Sequence, residues 1–117
     1  MSVVIKPWCA HTDQTAKLGK HHWSVARLVE LSRHLPVMEL PLLGMNIYHR
    51  WDGMNLRDFI MHMRAVQAAD LSYPIILDED GEIMDGRHRL MRAILDGCEN
   101  IKAVRFETNP EPCKIDP

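Results

Sequence analysis

The sequence predicts an α+β fold in one compact domain: a small mixed sheet whose β-hairpin leads into a glycine-turned helix. Three observations predict it. Apolar residues Leu56, Phe59, Ile60, Met63 and Val66 recur at helical spacing. The β-branched run Pro74-Ile75-Ile76-Leu77 is followed by the turn signal Asp78-Glu79-Asp80-Gly81 and a second extended piece, Glu82-Ile83-Met84. Finally, 117 residues that are 46% apolar and 26% charged suit one packed core better than disorder.

The elements follow in order. Residues 1–22 show no hydrophobic period and end in the polar run Lys17-Leu18-Gly19-Lys20-His21-His22, so a flexible N-terminal arm is expected. Ser24 is placed to cap a helix to about His34, with Val25, Leu28, Val29, Ser32 and Leu35 on one face, and Pro36 stops it. Val37 to Pro41 reads as a short strand. Leu42 to Asn55 reads as a loop carrying His49, Arg50 and Trp51, placed as a lid, a base-stacking element or a packed anchor. Asn55 can cap the helix to about Ala69, whose opposite face holds Asp58, His62 and Ala65. A further helix, Arg87 to Asp96, is stopped by Gly97, with Leu90, Met91, Ile94 and Leu95 expected in the core. Ile101 to Phe106 alternates as a strand. The domain is thus expected over residues 23–107, followed by an extended, Pro-containing tail over 108–117.

Charge and cysteine content narrow the function classes. Fourteen Lys+Arg against sixteen Asp+Glu give a net charge of -2, which disfavours a DNA-coating surface and leaves room for a local basic patch. Cys9, Cys98 and Cys113 are an odd number without a CxxC pair, so a disulfide framework is not expected. No apolar run approaches the roughly 20 residues of a membrane span. A reduced, cytoplasmic protein without a membrane segment is the expectation.

Chemistry concentrates in Ile83-Met84-Asp85-Gly86-Arg87-His88-Arg89-Leu90-Met91-Arg92-Ala93. A strand ends, a glycine turns the chain, and a helix begins with three basic residues. Backbone N–H groups at a helix start lack intrahelical partners and favour an anion. Cations there oppose the helix dipole, each at a cost of about 0.3–1 kcal/mol when exposed. A bound phosphate would offset them. The plainer alternative takes Asp85 as a cap, Gly86 as a turn and the arginines as a solvated face. His62 follows Asp58 by one turn, as a surface ion pair or a second wall of the same pocket. Asp70 reads as a helix-end residue close to the hairpin. His11, His21 and His22 lack companions at metal-ligand spacing and are read as part of the polar arm.

This order of elements resembles the ParB/sulfiredoxin-like superfamily over about residues 36–107. The specific core is Ile83 to Ala93, with Tyr73-Pro74-Ile75-Ile76 upstream, and the segment looks like a group of small bacterial ParB-like proteins. Sulfiredoxins carry a catalytic cysteine after the glycine, followed by His-Arg. Arg87 stands in that place before His88-Arg89, so the phosphate-binding pair is retained and sulfiredoxin activity is not expected. ParB proteins match at Arg89 and Arg92-Ala93 but not at Arg87 and His88, and their DNA-binding and dimerisation domains are not expected in a chain of this length.

The Asp-Gly-x-His-Arg pattern is most similar to free-serine kinases of this fold. That resemblance implies a nucleotide (ATP, ADP or CTP) with Mg²⁺, whose phosphates His88 and Arg89 would contact; the basic first turn after Asp-Gly adds Gly86 and Arg87 to the expected binding residues, with Arg92 second. Asp85 would hold the metal or polarise an acceptor hydroxyl, and Glu39 or Glu30 would be the catalytic glutamate. Two functions compete: a phosphotransferase acting on a hydroxyl of a small molecule, and a non-catalytic nucleotide-sensing or nucleic-acid-associated module.

Overall fold

The computed structural model describes residues 14–45 and 53–117. His11, His49, Arg50, Trp51 and Cys9 lie outside them. The fold is α+β, with three α-helices and two small sheets. In chain order it runs β1 (Thr15–Leu18), β2 (His21–Ser24), α1 (Val25–Ser32), β3 (Met38–Pro41), a 3-10 turn (Leu42–Gly44) and α2 (Leu56–Ala68). It continues through β4 (Ile75–Leu77), β5 (Ile83–Asp85), α3 (Arg87–Leu95), β6 (Asn100–Arg105) and β7 (Lys114–Ile115). The strand orders are β1-β2-β7 and β3-β6-β4-β5. Contacts of the described residues group into two compact units, 14–36, 76–85 and 104–117 in one, 37–45, 53–75 and 86–103 in the other.

In the first unit, part of the expected arm is a hairpin. Thr15 pairs with Ser24 and Leu18 with His21, and Gly19 takes φ +60 at the first central position, where a two-residue turn of type II′ takes glycine. Ala16 and Trp23 pair across it and are both buried. The short polar run hides this alternation, because one or two apolar residues per strand are too few to set a period. The tail is likewise fixed. β7 pairs with β2 (His21 with Ile115, His22 with Lys114), and the Trp23 indole donates to the Pro110 carbonyl at 2.9 Å. His21 and His22 are therefore strand residues, and His22 Nε2 lies 2.9 Å from Asp116 Oδ2.

Ser24 accepts from the Arg27 N–H at 3.3 Å and starts α1 as expected. The core of this unit gathers Ala16, Trp23, Leu28, Ile76, Met84, Val104 and Phe106. The β4–β5 hairpin turns at Asp78, whose buried carboxylate accepts the N–H groups of Asp80 and Glu82 at 2.9 and 2.8 Å. A buried carboxylate is sustainable only with such donors.

In the second unit, Met38 to Pro41 pair antiparallel with Asn100 to Ala103. Asn55 caps α2 through the Asp58 N–H at 2.8 Å. α2 presents a different face from the one its apolar spacing predicts. Leu56 (78%), Phe59, Ile60 and Met63 are exposed, whereas His62, Ala65, Val66 and Ala69 are buried or half-buried. α2 packs on α3, and the two alanines allow close approach of the helices. α3 also corrects its expected face: Leu90 and Ala93 are buried, while Ile94 and Leu95 (74%) are exposed. Its C-terminus closes as expected: Cys98 N–H donates to the Ala93 carbonyl and Gly97 N–H, at φ +72, to Ile94.

Candidate functional site

α3 begins on a residue that cannot carry a side chain. Gly86 is its N-cap at φ +114, and its carbonyl accepts the Leu90 N–H at 2.9 Å. A Cβ at Gly86 would lie 2.4 Å from Ile75 Cγ2, 2.8 Å from Ile75 Cβ and 3.0 Å from an Arg89 guanidinium nitrogen. Backbone conformation and the buried Ile75 therefore both demand glycine. Lacking a side chain, this N-cap leaves the N–H groups of the first turn without the usual Ser, Asp or Asn acceptor.

Arg87, His88 and Arg89 fill that first turn, which contains no acidic residue. All three are half-buried, so a fully solvated face does not describe them. Among the described residues Arg87 has no ion-pair partner. The Arg89 guanidinium folds back towards the Gly86 turn, as its 3.0 Å approach shows. His88 Nε2 lies 2.8 Å from His62 Nδ1, which joins α3 to α2.

Arg89 also acts on Asp70. The Ser72 hydroxyl and N–H donate to Asp70 Oδ1 at 2.7 and 2.9 Å. They hold this carboxyl below the usual carboxylate range against the cost of desolvation, and the charges of Arg89 and Lys102 add lesser contributions. Lys102 stands opposite Glu39 in the β3–β6 register, and both are exposed. Arg89 and Lys102 thus both act through space on Asp70, and Lys102 faces Glu39 across the β3–β6 register. No motif in the sequence marks Lys102. The alternation of β6 supplies the signal, since it places Lys102 on the exposed face between buried Ile101 and Ala103.

Other candidates sit elsewhere. Arg92 is engaged: its Nε contacts Asp96 at 3.0 and 3.2 Å, and its Nη1 donates to the Gln67 carbonyl at 2.7 Å and Val66 at 3.5 Å. It caps the C-terminal carbonyls of α2, so of the expected phosphate-binding residues Arg92 is the one engaged there. Glu30 forms an exposed pair with Arg33 at 3.4 Å. Asp85 ends β5 opposite Ile76, half-buried, immediately before Gly86 in sequence. Among the described residues no group of three or more His, Cys, Asp or Glu is arranged to hold a metal. No helix of the described residues is long and apolar enough to cross a membrane.

No family model, curated protein or solved structure matches the chain. The resemblance to the ParB/sulfiredoxin-like superfamily rests on its motif residues.

Proposed function

We propose that the chain binds a phosphate-bearing ligand, a nucleotide such as ATP, ADP or CTP or a phosphorylated small molecule, at the first turn of α3. One observation carries this reading: a helix start without a side-chain cap holds three half-buried basic residues and no acid. The dipole and the cations oppose one another there, and an anion satisfies both. Arg87 and Arg89 would supply the charge, with the backbone N–H groups orienting one phosphate.

The resemblance extends this to phosphoryl transfer. Asp85 is the residue that would hold a Mg²⁺, an ion that needs only one or two protein carboxylates when it binds with a nucleotide. The ion would neutralise charge on the transferring group. The placement of the glutamates favours binding without turnover: Glu30 is engaged by Arg33, and Glu39 stands exposed opposite Lys102. A sensing module is therefore the second reading. A nucleic-acid role gains nothing from the net charge of -2.

Thermal unfolding with phosphate, ATP, ADP and CTP, each with and without Mg²⁺, tests the proposal. A ligand at a hundredfold excess over its Kd stabilises by about 2.7 kcal/mol. Arg89→Ala is expected to abolish the shift. No shift with any of them overturns the reading. Nucleotide consumption that depends on an acceptor hydroxyl and is lost in Asp85→Ala would distinguish the enzyme from the sensor.

A further inference from the structure

His62 and His88 meet where α2 packs on α3, with their facing ring nitrogens 2.8 Å apart, centroids 5.1 Å apart and rings tilted by 39°. Two imidazole nitrogens at that distance either share a proton or point at a common ion. The centroid separation decides between them. It is close to the largest the N···N distance permits, so both ring axes lie near the N···N line. That is a straight N–H···N bond. Nitrogens converging on a metal would bring the rings closer together, and no third ligand completes a metal group among the described residues.

Resting on the phosphate-binding reading above, we propose that His62 is a positioning residue that holds His88 in the first turn of α3, and that the pair takes up a proton when an anion binds. In the neutral pair one ring donates across the contact and the other accepts. One added proton goes to the outer nitrogen of the donor ring, which becomes an imidazolium with its bond kept and strengthened. A second added proton would set two N–H groups face to face and break the bond. The pair therefore stores one positive charge without releasing His88.

Its electrostatic surroundings define the coupling. On α2, Asp58 lies one turn before His62, and Arg57 and Arg64 share the helix. On α3, Arg87 and Arg89 flank His88, while Arg92, one turn later, is balanced by Asp96. Asp70 follows α2, near Arg89, and Asp85 precedes His88 by three residues. Arg87 and Arg89 oppose a further positive charge in this turn. An anion there removes that opposition, so anion and proton bind together and each strengthens the other.

Sulfate is the probe, because its charge is constant across the range of about pH 5 to 8 in which histidine changes charge. The whole chain is titrated with sodium sulfate at several pH values while the ring ¹⁵N resonances of His62 and His88 are followed. Affinity is expected to rise towards acid, by up to about tenfold per pH unit for one linked proton, and both rings to follow a common curve. His62→Phe removes the bond and is expected to move the midpoint of the affinity profile to lower pH. His62→Gln, which can still bond to His88, should restore part of it. A flat wild-type profile, or an unchanged profile in His62→Phe, overturns the role of the pair alone. Absence of sulfate binding at every pH, together with no thermal shift from any phosphate ligand, overturns the phosphate reading and this one with it. Should His62→Phe fail to fold, the wild-type rings decide: two independent titration curves refute the pairing.

Discussion

Gly86 and Ile75 are packed so that no other residue fits at position 86: an added Cβ would stand 2.4 Å from Ile75 Cγ2. Ile75 is fully buried and cannot swing away. Gly86→Ala therefore combines an unfavourable φ of +114 with overpacking. A loss of about 2–4 kcal/mol is expected in urea unfolding. In an Ile75→Ala background, itself destabilised by the lost core side chain, the added cost of Gly86→Ala should be smaller, since the nearest clashing atom is gone. A loss for Gly86→Ala below about 1 kcal/mol would mean that the turn relaxes freely.

Arg92 and Arg89 lie three residues apart on one helix and have separable roles. Arg92 joins α3 to the end of α2, through Asp96 and the Gln67 carbonyl. Arg92→Ala is expected to cost about 1 kcal/mol of stability, the scale of a half-exposed charged hydrogen bond. Its sulfate affinity, measured by calorimetry, should stay within about twofold of wild type, well under the factor of ten that corresponds to about 1.4 kcal/mol. Arg89→Ala should show the reverse pattern, with large loss of affinity and little loss of stability. Equal loss of affinity in both variants would return Arg92 to the binding site.

What the sequence revealed follows from the range of the forces involved. The caps at Ser24 and Asn55, the hairpin turn before Glu82 and the stop at Gly97 are set within a few residues, and each is where local chemistry puts it. The buried face of α2 was not legible. Spacing identifies Leu56, Phe59, Ile60, Met63 and Val66 as one stripe, of which Val66 alone is buried, but carries no information about which stripe another element covers. Ala65 and Ala69 were the weak signal, as small residues that permit a close helix contact. The His62–His88 bond needs that contact and so escaped a reading confined to Asp58 and His62. Likewise, the β1–β2 hairpin depends on a strand from the far C-terminus, which no local pattern announces.

Lys102 is expected to tune the site through its field. It lies in the same charged group as Asp70 and Arg89, and it is exposed. Lys102→Gln should weaken sulfate binding by about two- to threefold at low salt, the effect of a solvent-exposed charge. The difference should vanish at about 1 M ionic strength, where screening acts over roughly 3 Å. A salt-independent defect would instead show direct contact between Lys102 and the anion.

The C-terminal strand should detach in acid through Asp116. Its carboxyl is held below the usual carboxylate range chiefly by the hydrogen bond from His22, against the cost of desolvation and with lesser help from the charges of His22 and Lys17. A native value below the unfolded one stabilises the fold above the ordinary aspartate value of about 3.9. The contribution is lost as pH falls through the lowered native value, because the folded state must then be protonated too. Asp116→Asn should accordingly melt below wild type at neutral pH, and the gap should close only under about pH 4. His22→Ala should reproduce the neutral-pH gap, since it removes the same bond. Melting curves of Asp116→Asn that match wild type from neutral pH downward would show that β7 is held by its backbone bonds to β2 alone.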